Sequence, residues 1–190
     1  QAGSLMGLAA DMMGSPLNPM ARSKPMRATR GVIDMLGHAS GMYGKPQFGL
    51  TETEVNGVTV KVREEIVEKR AFGTLLRFVR EGVEDSPKLL VVAPMSGHYA
   101  TLLRGTVERL LHKHDVYITD WADAREVPLS EGRFGLDEYI DYVMDWMRVI
   151  GADAHMLAVC QPSVPVLAAT ALMNAAKDPC RPRSITMMGG

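Results

Sequence analysis

Ala154-His155-Met156-Leu157-Ala158-Val159-Cys160-Gln161-Pro162-Ser163-Val164-Pro165 is the stretch on which the reading of the whole chain turns. Its first part, 156–159, is short and continuously apolar, as a parallel strand covered on both faces is. Residues 164–177 (VPVLAATALMNAAK) are rich in Ala, Leu and Met, which favour helix. Pro162 and Pro165 fall in the first turn of that helix, where a missing N–H costs nothing. Cys160 is therefore expected at a strand-to-helix turn, beside a helix N-terminus. There the helix dipole and unpaired N–H groups favour a thiolate and can hold a developing oxyanion. The spacing is that of a nucleophile elbow, small-x-nucleophile-x-small, with Cys160 in place of Ser and Pro162 in place of the last glycine. By spacing alone the signal is weak, because a lone Cys at the end of an apolar strand is more often a small buried core residue. Cys-phosphatase chemistry is excluded, since its loop needs an Arg where this chain has Val166.

Around this stretch the totals describe an ordinary globular chain: 190 residues, 46% hydrophobic and 23% charged. A net charge of −1 argues against an electrostatic nucleic-acid binder. Cys160 and Cys180 lack metal-ligand spacing and read as reduced thiols, so a cytoplasmic location is expected. No apolar run approaches the roughly 20 residues of a membrane helix, and the first basic residue is Arg22, so neither a transmembrane span nor a signal peptide is expected. There is no GxGxxG, no Walker loop and no cluster of His with carboxylates, and a reaction without cofactor or metal is expected. The sequence opens on Gln1 and stops at Gly189 and Gly190 just after a strand-like run, which suggests a piece of something longer.

Residues 1–50 form a Met-, Gly- and Pro-rich segment with Met12, Met13, Met20, Met26, Met35 and Met42, a short helix over 27–38 and a turn over 41–46. Its methionines are expected to pack against the following domain. From residue 51 the pattern changes. Val58, Val60 and Val62 alternate with polar residues and 75–79 is apolar, which predicts two antiparallel strands with Asn56 and Gly57 as a tight turn. The mixed charges of Lys61, Arg63, Glu64, Glu65, Glu68, Lys69 and Arg70 read as a solvated face. Residues 89–94 (LLVVAP) predict a buried strand and 101–114 an amphipathic helix with Leu102, Leu103, Val107, Leu110 and Leu111 on one face. Residues 115–120 predict a strand, 137–150 a helix stopped by Gly151, and 184–188 a last strand. Strands alternating with helices imply an α/β fold with a mostly parallel sheet. The loop after Pro94, the loop after Asp120 and Cys160 then meet at the carboxyl ends of the strands, where such sheets carry their sites.

The strings LLVVAPMSGHYATLLRGTVE (89–108), HDVYITDWADAREVPL (114–129), FGLDEYIDYV (134–143), AVCQPSVPVLAATALM (158–173) and SITMMGG (184–190) resemble the intracellular polyhydroxyalkanoate depolymerases. The resemblance runs from about Phe48 to the last residue. It implies an α/β-hydrolase fold, a cytoplasmic bacterial enzyme acting at storage granules of poly(3-hydroxybutyrate), and Cys160 as the nucleophile in its V-C-Q-P-S-V-P setting. It further implies acyl transfer through a thioester, with a His and a carboxylate assisting. The oxyanion hole would be the N–H of Gln161 and an N–H from Met95 or Ser96. His98 reads as a loop-orienting partner or, less often, a substrate contact. Tyr99 and Trp121 read as packing or as the lining of an acyl pocket. His155 is expected to cap the far end of its strand, and His112 and His114 end a helix.

Chain order raises a difficulty for that mechanism. No His follows His155, and past Cys160 the only carboxylate is Asp178, whereas in an α/β hydrolase both triad partners follow the nucleophile. The expectation is a chain truncated before the acid and His strands, inactive by itself. Two other readings stay open: a polymer synthase using Cys160 as acyl carrier, and a non-catalytic granule-binding protein.

Overall fold

The computed structural model describes residues 23–40, 45–95 and 99–190. The chain divides into two compact units, Gln1–Lys45 and Pro46–Gly190. The described part of the first is one helix, α1 (Lys24–Ser40), which contains the expected 27–38 and extends it at both ends. The side-chain hydroxyl of Ser23 accepts from the Met26 N–H at 3.4 Å at its start. Met12, Met13, Met20 and Met42, and most of the expected turn over 41–46, lie outside the described residues.

The second unit starts at Pro46 rather than residue 51, because Phe48 and Leu50 are buried in its core; the Phe48 ring meets Phe78 edge to face at 5.0 Å. Its elements run β1 (Glu52–Val55), β2 (Val58–Lys69), β3 (Gly73–Arg80), β4 (Lys88–Val92), α2 (Arg104–Leu110), β5 (Asp115–Trp121), α3 (Leu136–Ile150), β6 (His155–Val159), α4 (Ser163–Ala175) and β7 (Ile185–Met188). They form one seven-stranded sheet in the order β1-β2-β3-β5-β4-β6-β7. The first three strands and the β3–β5 pair are antiparallel, and β5-β4-β6-β7 is parallel. This is the mixed α/β sheet with flanking helices that the alternation of strands and helices predicted.

The antiparallel entry holds one strand more than expected. Asn56 (φ 51°) and Gly57 (φ 81°) do make a tight turn, but it joins β1 to β2, not β2 to β3. The β2–β3 register shifts between Ile66 and Glu68, a bulge that leaves Val67 out of the pairing. β2 is mostly exposed, as its charges suggested, with Arg70 reaching off it to Asp145 of α3 at 2.9 Å. The 101–114 helix is shorter than predicted. A 3-10 turn (Ala100–Leu103) precedes α2, and Leu102 is 59% exposed while Leu103, Val107 and Leu111 are buried. The tighter 3-10 winding leaves Leu102 off the stripe that the i, i+4, i+8 spacing of the other three puts against the sheet.

β4, covered on both faces, buries Leu89, Leu90, Val91 and Val92, each aliphatic side chain stabilising the fold by roughly 1.5–3 kcal/mol. From β4 the chain passes through α2 to β5 on one side, then returns through α3 to β6 on the other. Strand order therefore reverses at β4, and the loops leaving β4 and β6 diverge from neighbouring strand ends. That divergence opens a crevice at the carboxyl edge of the sheet. Among the described residues no helix is long and apolar enough to cross a membrane.

Candidate active site

Cys160 stands at that crevice. β6 ends at Val159, Cys160 takes φ 65°, Pro162 begins the helical turn and α4 starts at Ser163. Its N–H donates to the Met188 carbonyl at 2.7 Å and its carbonyl accepts from the Ser163 N–H at 3.1 Å, so both neighbours of the turn are fixed by backbone bonds. Among the described residues five non-glycines have positive φ: Asn56, Asp85, Asp153, Lys177 and Cys160. Asn and Asp tolerate the left-handed region through short polar side chains, and Lys177 follows the end of α4, where such a residue terminates a helix. Cys160 has neither reason. A strained residue at a strand-to-helix turn is the elbow arrangement, which lifts its side chain out of the sheet end, and Cys160 is exposed. Gly190, after β7, packs against this turn so closely that a Cβ there would overlap the Ser163 hydroxyl and lie 2.9 Å from the Cys160 carbonyl.

Gln161 faces the loop leaving β4. Its side-chain oxygen accepts from the Met95 N–H at 2.9 Å, joining the two diverging loops. An apolar groove of about 430 Å³ opens beside them, lined by Met95, Phe134, Gly135, Leu136, Tyr139, Gln161, Val164 and Pro165. It thus draws on the loop after β4, the end of the loop after β5, the start of α3 and the first turn of α4. Ion pairs on the loop after β5 and the first turn of α3 neutralise themselves. The Glu138 carboxylate accepts from the Gly135 N–H at 2.7 Å and from Arg133 at 3.0 Å, and these hold its pKa down. Arg125 holds the Asp123 carboxyl down to about 2. The groove itself is left apolar. A second, more polar groove of about 350 Å³, lined by Asp85, Ser86, Pro87, Lys88, Ala152 and Asp153, lies at the amino ends of β4 and β6, away from Cys160.

Cys160, Gln161 and Met95 come together in space, while Ser96 and His98 lie outside the described residues. Tyr99 is half-buried just before the 3-10 turn. Trp121 is buried behind the groove, not in its lining, with its ring against Phe134, Tyr139, Tyr142 and Trp146 at centroid distances of 4.6–6.2 Å. His155 opens β6 and its Nδ1 lies 2.8 Å from the Ser184 hydroxyl. One strand length of roughly 3.3 Å per residue separates it from Cys160, so it is no base for that thiol. The His114 ring meets the Leu110 carbonyl at 3.2 Å at the end of α2. Asp178 is tied up with Arg148 at 2.9 Å and with the Cys180 N–H at 2.8 Å. The sequence did not point to Phe134, Gly135, Leu136, Val164 or Pro165 as groove walls. Their only signal is position, since each follows the carboxyl end of a parallel strand.

No family model matches the chain, and no curated protein matches it. Solved structures do. A naproxen esterase from Bacillus subtilis is 17% identical over 66% of this chain and 42% of its own, with a TM-score of 0.46. A protein described as a predicted CIB-like hydrolase from Thermoplasma acidophilum is 13% identical over 67% of this chain and 62% of its own, with a TM-score of 0.44. A bacterial membrane phospholipase A is 15% identical over 98% of this chain and 51% of its own, with a TM-score of 0.47. The chain spans less than two thirds of the length of each. The reading of the site rests on its own geometry.

Proposed function

We propose that this chain carries the nucleophile and oxyanion hole of an ester hydrolase, with Cys160 as the nucleophile. The observation that carries the reading is the left-handed φ of 65° at an exposed Cys between β6 and α4, at the point where strand order reverses. In the proposed reaction the Cys160 thiolate attacks an ester carbonyl carbon and the carbonyl electron pair moves onto oxygen. The Gln161 N–H, the first past the nucleophile, and the Met95 N–H receive that oxyanion. Collapse expels the alcohol, which takes a proton, and leaves a thioester that water hydrolyses. The apolar groove beside Gln161 accepts the acyl or alkoxy portion. No His follows Cys160 and Asp178, the one carboxylate side chain after it, is paired with Arg148, so the reading assigns no general base.

The narrower reading is an intracellular depolymerase of poly(3-hydroxybutyrate) acting at the granule surface in the cytoplasm. It is supported by the resemblance of five strings between residues 89 and 190, and by the apolar groove of about 430 Å³ beside Gln161. The test is to incubate the full-length protein with amorphous poly(3-hydroxybutyrate) granules and follow soluble 3-hydroxybutyrate, with Cys160→Ala in parallel. Release by the parent and none by the variant is the expected result, with a hydroxyacyl adduct on Cys160 in quenched samples. Undiminished release by Cys160→Ala removes the nucleophile assignment. Activity on simple esters without release from granules removes the polymer.

A further inference from the structure

We propose that the Gln161 side chain is a latch on the oxyanion hole, holding the acceptor place at the Met95 N–H until an ester carbonyl displaces it. This rests on the ester-hydrolase reading above and deepens it. The N–H of Met95 is directed at Gln161 Oε1 at 2.9 Å, across 66 residues of sequence and between the two loops that diverge at the reversal of strand order. A carbonyl oxygen in that position presents to the N–H what a substrate oxygen would present.

Among the described residues, the side chain that meets this N–H is that of Gln161. In the first turn of α4, Pro162, Val164 and Pro165 have no side-chain acceptor, and the Ser163 hydroxyl is buried against Gly190 without a hydrogen-bond partner. Gln161 is exposed and, among the described residues, its carboxamide has one hydrogen bond, so it can swing into solvent and be hydrated there at small cost. With the latch closed the Met95 N–H is satisfied and the loop after β4 keeps its donor in place. With it open the same N–H faces the crevice. The free enzyme is thus divided between a satisfied closed form and a competent open form, and the apparent affinity for substrate is lowered by the open fraction.

The prediction is a gain of activity on removing a side chain next to the nucleophile. Gln161→Met keeps the length of the side chain and removes the acceptor, while Gln161→Asn keeps the carboxamide and no longer reaches. In the full-length protein both are expected to raise kcat/KM for p-nitrophenyl butyrate by about 3- to 10-fold. The inhibition constant of butyraldehyde, which forms a hemithioacetal whose oxygen needs the same N–H, is expected to fall by the same factor in both. A rise in Gln161→Met alone reports a more apolar groove and overturns the latch. So does an unchanged or reduced kcat/KM in both variants while Cys160→Ala is inactive; Gln161 is then a loop-positioning residue. If Cys160→Ala keeps full activity, the ester-hydrolase reading at Cys160 fails and the latch fails with it.

Discussion

The indole N–H of Trp121 donates to the carbonyl of Ala93 at 2.8 Å, and the Tyr139 hydroxyl reaches the same oxygen at 3.3 Å. The Ala93 N–H in turn donates to the Thr119 hydroxyl at 2.9 Å. Ala93 is fully buried one residue past the end of β4, where the sheet ladder no longer serves its backbone. Buried peptide groups need partners. Here β5 and α3 supply them from side chains, and the loop that presents Met95 to the crevice leaves from that anchored residue.

Trp121→Phe keeps most of the ring packing and removes the shorter of the two bonds to the Ala93 carbonyl. The expected cost is about 1 kcal/mol in denaturant unfolding, with faster amide exchange at Met95. Tyr139→Phe is expected to cost less, since its bond is longer. The double variant is expected to cost more than the sum, because the buried carbonyl then has neither donor. Strict additivity would show that the two do not share an anchoring role.

Gly73 opens β3 directly against the aromatic cluster. A Cβ there would lie 2.9 Å from Trp121 Cε3 and 3.1 Å from Trp146 Cη2. Neither indole can retreat, as the Trp121 ring is wedged among Phe134, Tyr139 and Tyr142, and the buried Trp146 ring lies against Trp121 and Tyr142. Gly73→Ala is therefore expected to destabilise by about 1–3 kcal/mol and to shift near-ultraviolet circular dichroism from the tryptophans. An unchanged unfolding midpoint would place the slack elsewhere in the cluster.

Strain at the elbow separates stability from function. Cys160→Gly relieves the left-handed φ, whereas Cys160→Ala keeps a Cβ in it. The glycine variant is expected to be more stable than the alanine variant by about 1 kcal/mol in urea unfolding. Both are expected to lose hydrolysis by about 10⁴-fold or more. Equal stability of the two would mean that the turn relaxes on losing the thiol.

Alkaline pH is expected to weaken the fold through Tyr117. Burial first, and then the negative charge of Asp115, push its hydroxyl up to about 12 from 10.0. The folded state holds this proton more tightly than the unfolded state, so the stability it contributes is whole below pH 10. That contribution is lost progressively as pH rises from there through about 12. Phenolate absorbance should show a tyrosine titrating late in the native protein and normally in denaturant. In Tyr117→Phe the decline in stability between these pH values is expected to be shallower.

Sequence by itself determined the alternation of strand and helix from β4 onward, because each segment carries its own signal. The run Leu89, Leu90, Val91, Val92 reads as a strand buried on both faces, 137–150 carries a helical stripe ending at Gly151, and Pro162 and Pro165 mark the first turn of α4. It also placed Cys160 at the turn, since an apolar strand meeting a proline-started helix leaves little room for any other conformation. Tertiary structure alone decided which strands are neighbours, and so that Met95 and Gln161, 66 residues apart, meet. It decided that Trp121 turns inward to the Ala93 carbonyl instead of lining the groove, and that Leu102 stays in water while Leu103 is buried. Local propensity reports on a few residues at a time. A groove made from four separate segments depends on the order in which the strands pair, which hydrophobic burial and the sense of each crossover fix only when the whole sheet assembles.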